Sequence, residues 1–307
     1  MSKTVLIGGG TGLIGWRLAS LLHDRGDRPR ILTREVKPGK FRFPRYVWDA
    51  RAQTIDPDAM AGVTHVVNLA GAGIADARWT PRRKALIIES RTRTTALLAE
   101  AIACAASPIE AFVSAGAIGY YGDRGEELVD EDSGPGEGFL SESTILWERA
   151  VGELAGRTGV RTALLRTGIV LSPDGGALEK MLVPARLGIS GYFGAGRQYY
   201  SWIHIDDIAL AYLAALDDER FVGPINAVAP EPETCKTLAQ VLAEALPNPC
   251  IAAPVPAFGL KLALGEMSHT VLDSTRVSAA KLELDLGFEF GHPTLRGALE
   301  DLVGGGD

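Results

Sequence analysis

The sequence has 307 residues, 46% of them hydrophobic and 22% charged, the proportions of a folded globular chain with room for one large or two interlocked domains. Lys and Arg number 31 against 38 Asp and Glu, and the net charge of −7 argues against nonspecific attraction to nucleic acid or anionic membranes. No apolar run approaches the roughly 18 residues of a membrane span, and Cys104, Cys235 and Cys250 are odd in number and lack metal-ligand spacing.

Met1-Ser2-Lys3 leads straight into an apolar run, Thr4-Val5-Leu6-Ile7, with no room for a signal peptide, so the expectation is a cytoplasmic protein with free buried thiols. That run passes into Gly8-Gly9-Gly10-Thr11-Gly12-Leu13-Ile14-Gly15 and then into a helical pattern. Gly9, Gly12 and Gly15 fall three apart, which gives a residue without Cβ to the tight turn, to close backbone approach by a pyrophosphate and to helix–strand packing. The phosphates of a dinucleotide would sit on the free N–H groups that open the helix, at the positive end of its dipole. Glycines so spaced occur in many loops, and the reading rests on their context of strand, turn, helix and second strand.

The helix is expected from Leu13 to Arg25, with Gly26 as its stop, and Arg30-Ile31-Leu32-Thr33 as the second strand, leading to a Pro38-Gly39 turn. In sites that prefer NAD an acidic residue near this strand end pairs with the ribose hydroxyls; here Thr33 and Arg34 stand there. Arg34 suits bidentate pairing with a 2′-phosphate, favouring NADP with NAD as the alternative, against the plainer reading of a solvated arginine. Tyr46-Val47-Trp48 reads as a third strand, with Asp49 near an adenine. Thr64 to Ala70 is a nearly continuous apolar run, the pattern of a parallel strand buried on both faces, and breaks at Gly71-Ala72-Gly73; His65 within it reads as structural.

Thr80-Pro81 opens a long helix reaching toward Glu110, whose arginines read as a solvated face apart from Arg91. Ala111-Phe112-Val113-Ser114 is a further strand, and the small residues from Ala115 to Gly122 suggest backbone lying against a ligand. The acidic, glycine-rich stretch 123–138 reads as a mobile loop or lid, and a helix over 142–156 and a strand over 161–166 follow. Leu178 to Leu187 reads as a short helix and Gly188 to Gly196 as a glycine-rich loop before Arg197 and Gln198. Trp202 to Asp207 enters a helix over 208–216 with Asp206 or Asp207 as N-cap; His204 beside two aspartates matches known metal spacing poorly, and no metal is expected. Short helices follow at 237–246 and 258–264, and a terminal one at 293–302, before Gly304-Gly305-Gly306 frays.

Alternating strands and helices behind phosphate-site glycines argue for an α/β fold, a Rossmann-type doubly wound parallel sheet. Gly9-Gly10-Thr11-Gly12-Leu13-Ile14-Gly15, Asn68-Leu69-Ala70-Gly71, Glu89-Ser90-Arg91, Gly119-Tyr120-Tyr121-Gly122, Trp147-Glu148, Arg166 to Ser172 and Ser201 to Asp207 resemble the extended short-chain dehydrogenase/reductases. Within these, the chain is similar to the NAD-dependent epimerase/dehydratase-like "epimerase family" branch with an extra C-terminal domain, over nearly its whole length. The resemblance implies a dinucleotide domain over 1–165, with 200–228 returning to it, and a smaller substrate domain from 166–199 and 229–307. It carries cofactor contacts over to Gly9, Gly12, Leu13, Ile14, Gly15, Thr33, Arg34, Leu69, Ala70 and Gly71, and places a side chain near Arg91 on the nicotinamide side.

Active members use a tyrosine and a lysine four residues apart on one helix, so that the ammonium depresses the phenol's pKa. The corresponding stretch here, Phe139 to Glu148, contains neither. Ser114 and Tyr121 remain as candidates for catalysis, although Ser114 falls two residues before the expected serine position, which holds Gly116. Three readings stay open: an NADP-dependent oxidoreductase or epimerase acting on an unidentified small molecule, a non-catalytic NADP(H) sensor or regulatory module, and a nucleotide-sugar epimerase whose substrate diphosphate would meet Arg197 and Gln198.

Overall fold

The computed structural model describes residues 2–36 and 41–304; the expected Pro38-Gly39 turn and Gly305-Gly306 lie outside them. Strand β1 (Thr4–Gly8), buried along its length, runs into helix α1 (Leu13–Asp24), and β2 (Arg28–Thr33) and β3 (Arg45–Asp49) follow outward. A two-residue strand β4 (Thr54–Ile55) turns back antiparallel on β3. The chain then crosses to the other side of β1 with β5 (His65–Asn68), helix α2 (Pro81–Ala103), β6 (Ala111–Ala117), the short β7 (Leu128–Val129), helix α3 (Phe139–Thr158) and β8 (Arg161–Thr167).

The rest of the chain alternates between this sheet and a second layer. In order come β9 (Ile169–Leu171), α4 (Gly176–Ala185), β10 (Ile189–Phe193), β11 (Tyr199–Tyr200), β12 (Trp202–His204), α5 (Ile205–Asp217) and β13 (Gly223–Ala227). They are followed by β14 (Glu233–Thr234), α6 (Cys235–Ala245), β15 (Ile251–Val255), α7 (Ala257–Leu264), α8 (His269–Leu272), β16 (Arg276–Val277) and α9 (Leu295–Val303).

The main sheet has the order β13-β8-β6-β5-β1-β2-β3-β4, parallel throughout except for β4. Alternate residues of its central strands feed two cores. Val5, Ile7, Ile31, Val67 and Leu165 face α1 and α5, while Leu6, Leu32, Val66, Phe112 and Leu164 face α2 and α3. Burial on both faces is why these strands read as unbroken apolar runs. The direction of strand addition reverses between β1 and β5, so their C-terminal ends open a crevice, the place where ligands bind in open α/β sheets.

At Gly168 the chain leaves the main sheet: its N–H still reaches Ala227 O on β13, but Ile169 N donates to Ser201 O at 2.8 Å and β9 pairs with β12. A third core, with Leu171, Leu178, Leu182, Trp202, Leu238, Leu242, Leu295 and Leu299, joins α4, α6 and α9 around these short strands.

Several expectations needed tertiary contacts to be decided. The glycine-rich stretch 188–196 contains β10, because β15, over sixty residues later, supplies its parallel partner. The acidic stretch 123–138, expected as a mobile loop, is fastened where β7 pairs with β16 and where Asp123 accepts from Ser274 N at 3.1 Å. Helix α5 begins at Ile205, and its N-cap is His204 rather than either aspartate, since the imidazole Nδ1 accepts from Asp206 N at 3.1 Å. The carboxylates have other partners: Asp206 holds Arg17 in a fork of 2.5 and 2.8 Å, and Asp207 accepts from Gly291 N and His292 N. Of the expected buried thiols, Cys235 is buried and Cys104 is exposed.

Candidate functional site: a dinucleotide crevice

β1 delivers the chain to Gly9 in the left-handed region, φ 79°, where an L residue would be strained. A Cβ at Gly9 would also lie 2.7 Å from the Leu69 carbonyl carbon and 2.9 Å from Ala70 N, so the turn after β1 presses directly on the wall after β5. Gly15 is equally enclosed, 2.7 Å from Gly10 Cα at its missing Cβ, which seats α1 on the turn. Gly12 differs: its N–H donates to Gly9 O at 3.0 Å, and a Cβ there would meet that oxygen alone, at 3.3 Å.

Gly12 is the N-cap of α1 and brings no side-chain cap, and the first turn contains no acidic residue. The leading N–H groups, including those of Leu13 and Ile14, therefore keep their donor capacity at the positive end of a 12-residue helix, which is what a pyrophosphate needs. The residues present fit a dinucleotide on this count, because each feature that makes room for phosphate is built from backbone.

Thr33 ends β2 with its hydroxyl donating to Glu35 O at 3.0 Å, and Arg34 projects into solvent with no ion-pair partner among the described residues. Asp49 is turned elsewhere, accepting from Arg51 N and Ala52 N, and these bonds hold its carboxyl below the usual range. On the other side of the crevice, Asn68 shapes the wall. Its Oδ1 accepts from Ala70 N at 3.2 Å and its Nδ2 donates to Thr95 Oγ1 at 3.3 Å, so the buried amide fixes Leu69-Ala70-Gly71 against α2. Sequence reasoning gave Asn68 no role; the signal was an amide closing an apolar strand just before a glycine break.

Arg91 lies behind that wall. A Cβ on Gly71 would stand 3.1 Å from its guanidinium carbon, its Nη1 donates to Ala72 O and Ile87 O at 3.0 and 2.9 Å, and it covers the Trp147 ring at 5.0 Å. Burial, with Arg83 nearby, pushes its pKa down to about 10.

The catalytic candidates are placed apart. Ser114 is fully buried in β6 with its hydroxyl donating to Ala115 O at 2.9 Å. Tyr121, also fully buried, donates to Asn226 Oδ1 at 2.7 Å and accepts from Arg166 Nη1 at 2.8 Å. Burial pushes its phenol up to about 12 against the opposing pull of Arg166, the wrong direction for a base at neutral pH. Arg166 is in turn clamped by Glu148 at 2.8 and 2.9 Å and lies over the Tyr120 ring at 3.7 Å. Leu140 and Thr144, four residues apart on α3, lie closest to Gly119, and the stretch from Phe139 to Glu148 offers neither a phenol nor an ammonium.

In the second layer Arg197 is exposed, while the Gln198 amide donates to Phe193 O at 3.3 Å and Val271 O at 3.2 Å. His204, Asp206 and His292 each offer one potential metal donor within 4.8 Å of the others, with the two imidazoles stacked at 3.7 Å. His292 was beyond the reach of local spacing, and the Arg17 fork already occupies the Asp206 carboxylate.

Residues 5–227 match the model of the NAD dependent epimerase/dehydratase family, and residues 255–302 match that of a domain of unknown function, DUF1731. The chain is 36% identical over 303 residues to the mouse "Epimerase family protein SDR39U1", covering 97% of this chain and 99% of that one. It is also 36% identical to an Arabidopsis thaliana homologue described as chloroplastic, covering 98% of this chain and 86% of that protein. A crystal structure of human SDR39U1 with NADPH superposes with a TM-score of 0.87 at 33% identity, covering 98% and 99% of the two chains. A nucleoside-diphosphate sugar epimerase from Corynebacterium glutamicum aligns at a TM-score of 0.79 and 34% identity, over 99% of this chain and 59% of that one. No helix among the described residues is long and apolar enough to cross a membrane. The chain belongs to the NAD dependent epimerase/dehydratase family, in its SDR39U1-like branch with the additional C-terminal domain.

Proposed function

We propose that the protein binds NADP(H) in the crevice between β1 and β5 and acts as an oxidoreductase or epimerase on a small molecule. The observation that carries this reading is the backbone cradle of Gly9, Gly12 and Gly15 beneath an α1 without a side-chain cap, with Arg34 exposed at the end of β2 and without an ion-pair partner among the described residues. The bound nicotinamide would supply or accept a hydride. Gly9, Gly12, Leu13, Ile14 and Gly15 receive the pyrophosphate, Thr33 and Arg34 the adenosine end, and Leu69, Ala70 and Gly71 the wall against the nicotinamide half.

Tyr121 holds Asn226 and Arg166 in place rather than moving a proton, and Ser114 is closed off in the sheet. Proton transfer would therefore fall to groups other than a phenol–ammonium pair. A second reading, a non-catalytic NADP(H) sensor, draws on the lack of tyrosine and lysine from Phe139 to Glu148. A sugar-nucleotide epimerase draws only on the exposed Arg197, since the Gln198 amide is engaged within the fold.

Titration with NADPH and NADH decides the cofactor. Arg34→Ala is expected to weaken NADPH at least tenfold and NADH little, because a bidentate arginine–phosphate contact disappears. Equal losses for both would remove Arg34 from 2′-phosphate recognition, and no binding of either would end the proposal. Hydride turnover with any physiological substrate would eliminate the sensor reading.

A further inference from the structure

Helix α7 has no fully buried side chain. Phe258 and Leu262, four residues apart and so on one face, are 77% and 80% exposed, more than side chains lining a groove would be. Leu264 turns the other way and packs with Met267, Trp79 and Phe139, which holds α7 against the loop after β5 with its apolar face outward. Between Glu244 and Lys261 the chain carries no charge, although 22% of all its residues are charged. So apolar a helix, held in water by one edge, calls for a partner.

The charges around α7 narrow what that partner is. Lys261 is exposed beside Leu262 and has no ion-pair partner among the described residues. Arg78, likewise without a carboxylate partner among them, donates through Nη2 to Leu262 O at 2.9 Å and to Ala263 O, which puts a second cation at the C-terminal end of the helix. The acids of this corner are already engaged, Glu266 by Lys84 at 2.5 Å and Asp76 by Arg83 at 2.9 Å. A chain of net charge −7 thus shows a positive edge beside its apolar helix. A second copy docked here about a two-fold axis would set Lys261 and Arg78 against their own images.

We propose that α7 docks the protein on an anionic lipid surface, with Phe258 and Leu262 entering the boundary between headgroups and acyl chains and with Lys261 and Arg78 meeting lipid phosphates. Protruding apolar side chains flanked by basic ones are the pattern of interfacial helices, and the alkyl stem of a lysine lets its ammonium reach back to the headgroups. The net charge of the whole chain opposes nonspecific attraction, so the binding is confined to this corner. It does not depend on a bound dinucleotide.

Flotation of the full chain with phosphatidylcholine vesicles, with and without phosphatidylglycerol, tests this at low and at high salt. Wild type is expected to favour the anionic vesicles by roughly tenfold or more at low salt and to lose most of that preference at high salt. Phe258→Ser combined with Leu262→Ser should weaken binding by about tenfold or more, and Lys261→Glu should remove most of the preference for phosphatidylglycerol. All three side chains are exposed, so urea denaturation like that of wild type is expected for both variants. Wild type that stays behind when anionic vesicles float, equal binding to both vesicle types, or binding that survives the paired serine substitutions overturns the proposal. So does a lipid-free dimer, seen by sedimentation, that the serine substitutions dissociate while no vesicle binds, which would assign the face to a second copy.

Discussion

Gly12 and Gly15 stand three residues apart and constrain different things. A methyl at Gly15 runs into the backbone of Gly9 and Gly10, whereas one at Gly12 meets only Gly9 O and otherwise faces the open side of the crevice. Gly12→Ala is therefore expected to cost under about 1 kcal/mol of stability while lowering NADPH affinity at least tenfold. Gly15→Ala should destabilise the fold by about 2 kcal/mol or more, through displacement of α1. Urea denaturation beside NADPH titration checks both, and a Gly12→Ala protein that binds NADPH normally would remove the α1 terminus from the site. The same contrast bears on Tyr121: a tyrosine after a glycine-rich strand end looks catalytic in sequence, and only its enclosure by Asn226 and Arg166 shows a phenol committed to structure.

At the scale of elements, α5 shows how a side chain can serve a helix and carry a pH dependence. Burial, with His292 stacked beside it and against the pull of Asp206, Asp207 and Asp301, lowers the His204 pKa below its ordinary value. A group depressed in the folded state binds its proton more readily when unfolded, so its contribution is complete above about pH 6.5 and is lost as the pH falls below that. His65, lowered by burial and Lys3, acts in the same direction. His204→Asn keeps a capping acceptor without a titrating ring, and thermal melts from pH 7.5 to 5 are expected to show a shallower loss of stability than wild type. A slope unchanged by the substitution would show that His204 takes up its proton equally in the folded and unfolded states, with no depression by burial. Sequence periodicity found this helix and assigned the wrong cap, because Asp206 and Asp207 are claimed by Arg17 and by the backbone at Gly291 and His292.

Across the whole molecule, the phosphate turn sits where the strand order reverses, between strands that feed both cores. Binding there is linked to unfolding of the entire sheet, and NADPH at 100 times its dissociation constant should add about 2.7 kcal/mol. A melting transition indifferent to saturating NADPH would contradict the proposed site. The sequence by itself determined the parallel sheet, the glycine cradle, the strand at 65–68 and the Thr33-Arg34 end, since two-faced burial and phosphate geometry impose local patterns. Tertiary structure alone decided the pairing of β10 with β15, the capping of α5, the enclosure of Tyr121 and the placement of Arg91 behind the wall after β5. Each of these depends on partners dozens of residues away, and whether a charged or phenolic group reacts or supports is set by what surrounds it in space.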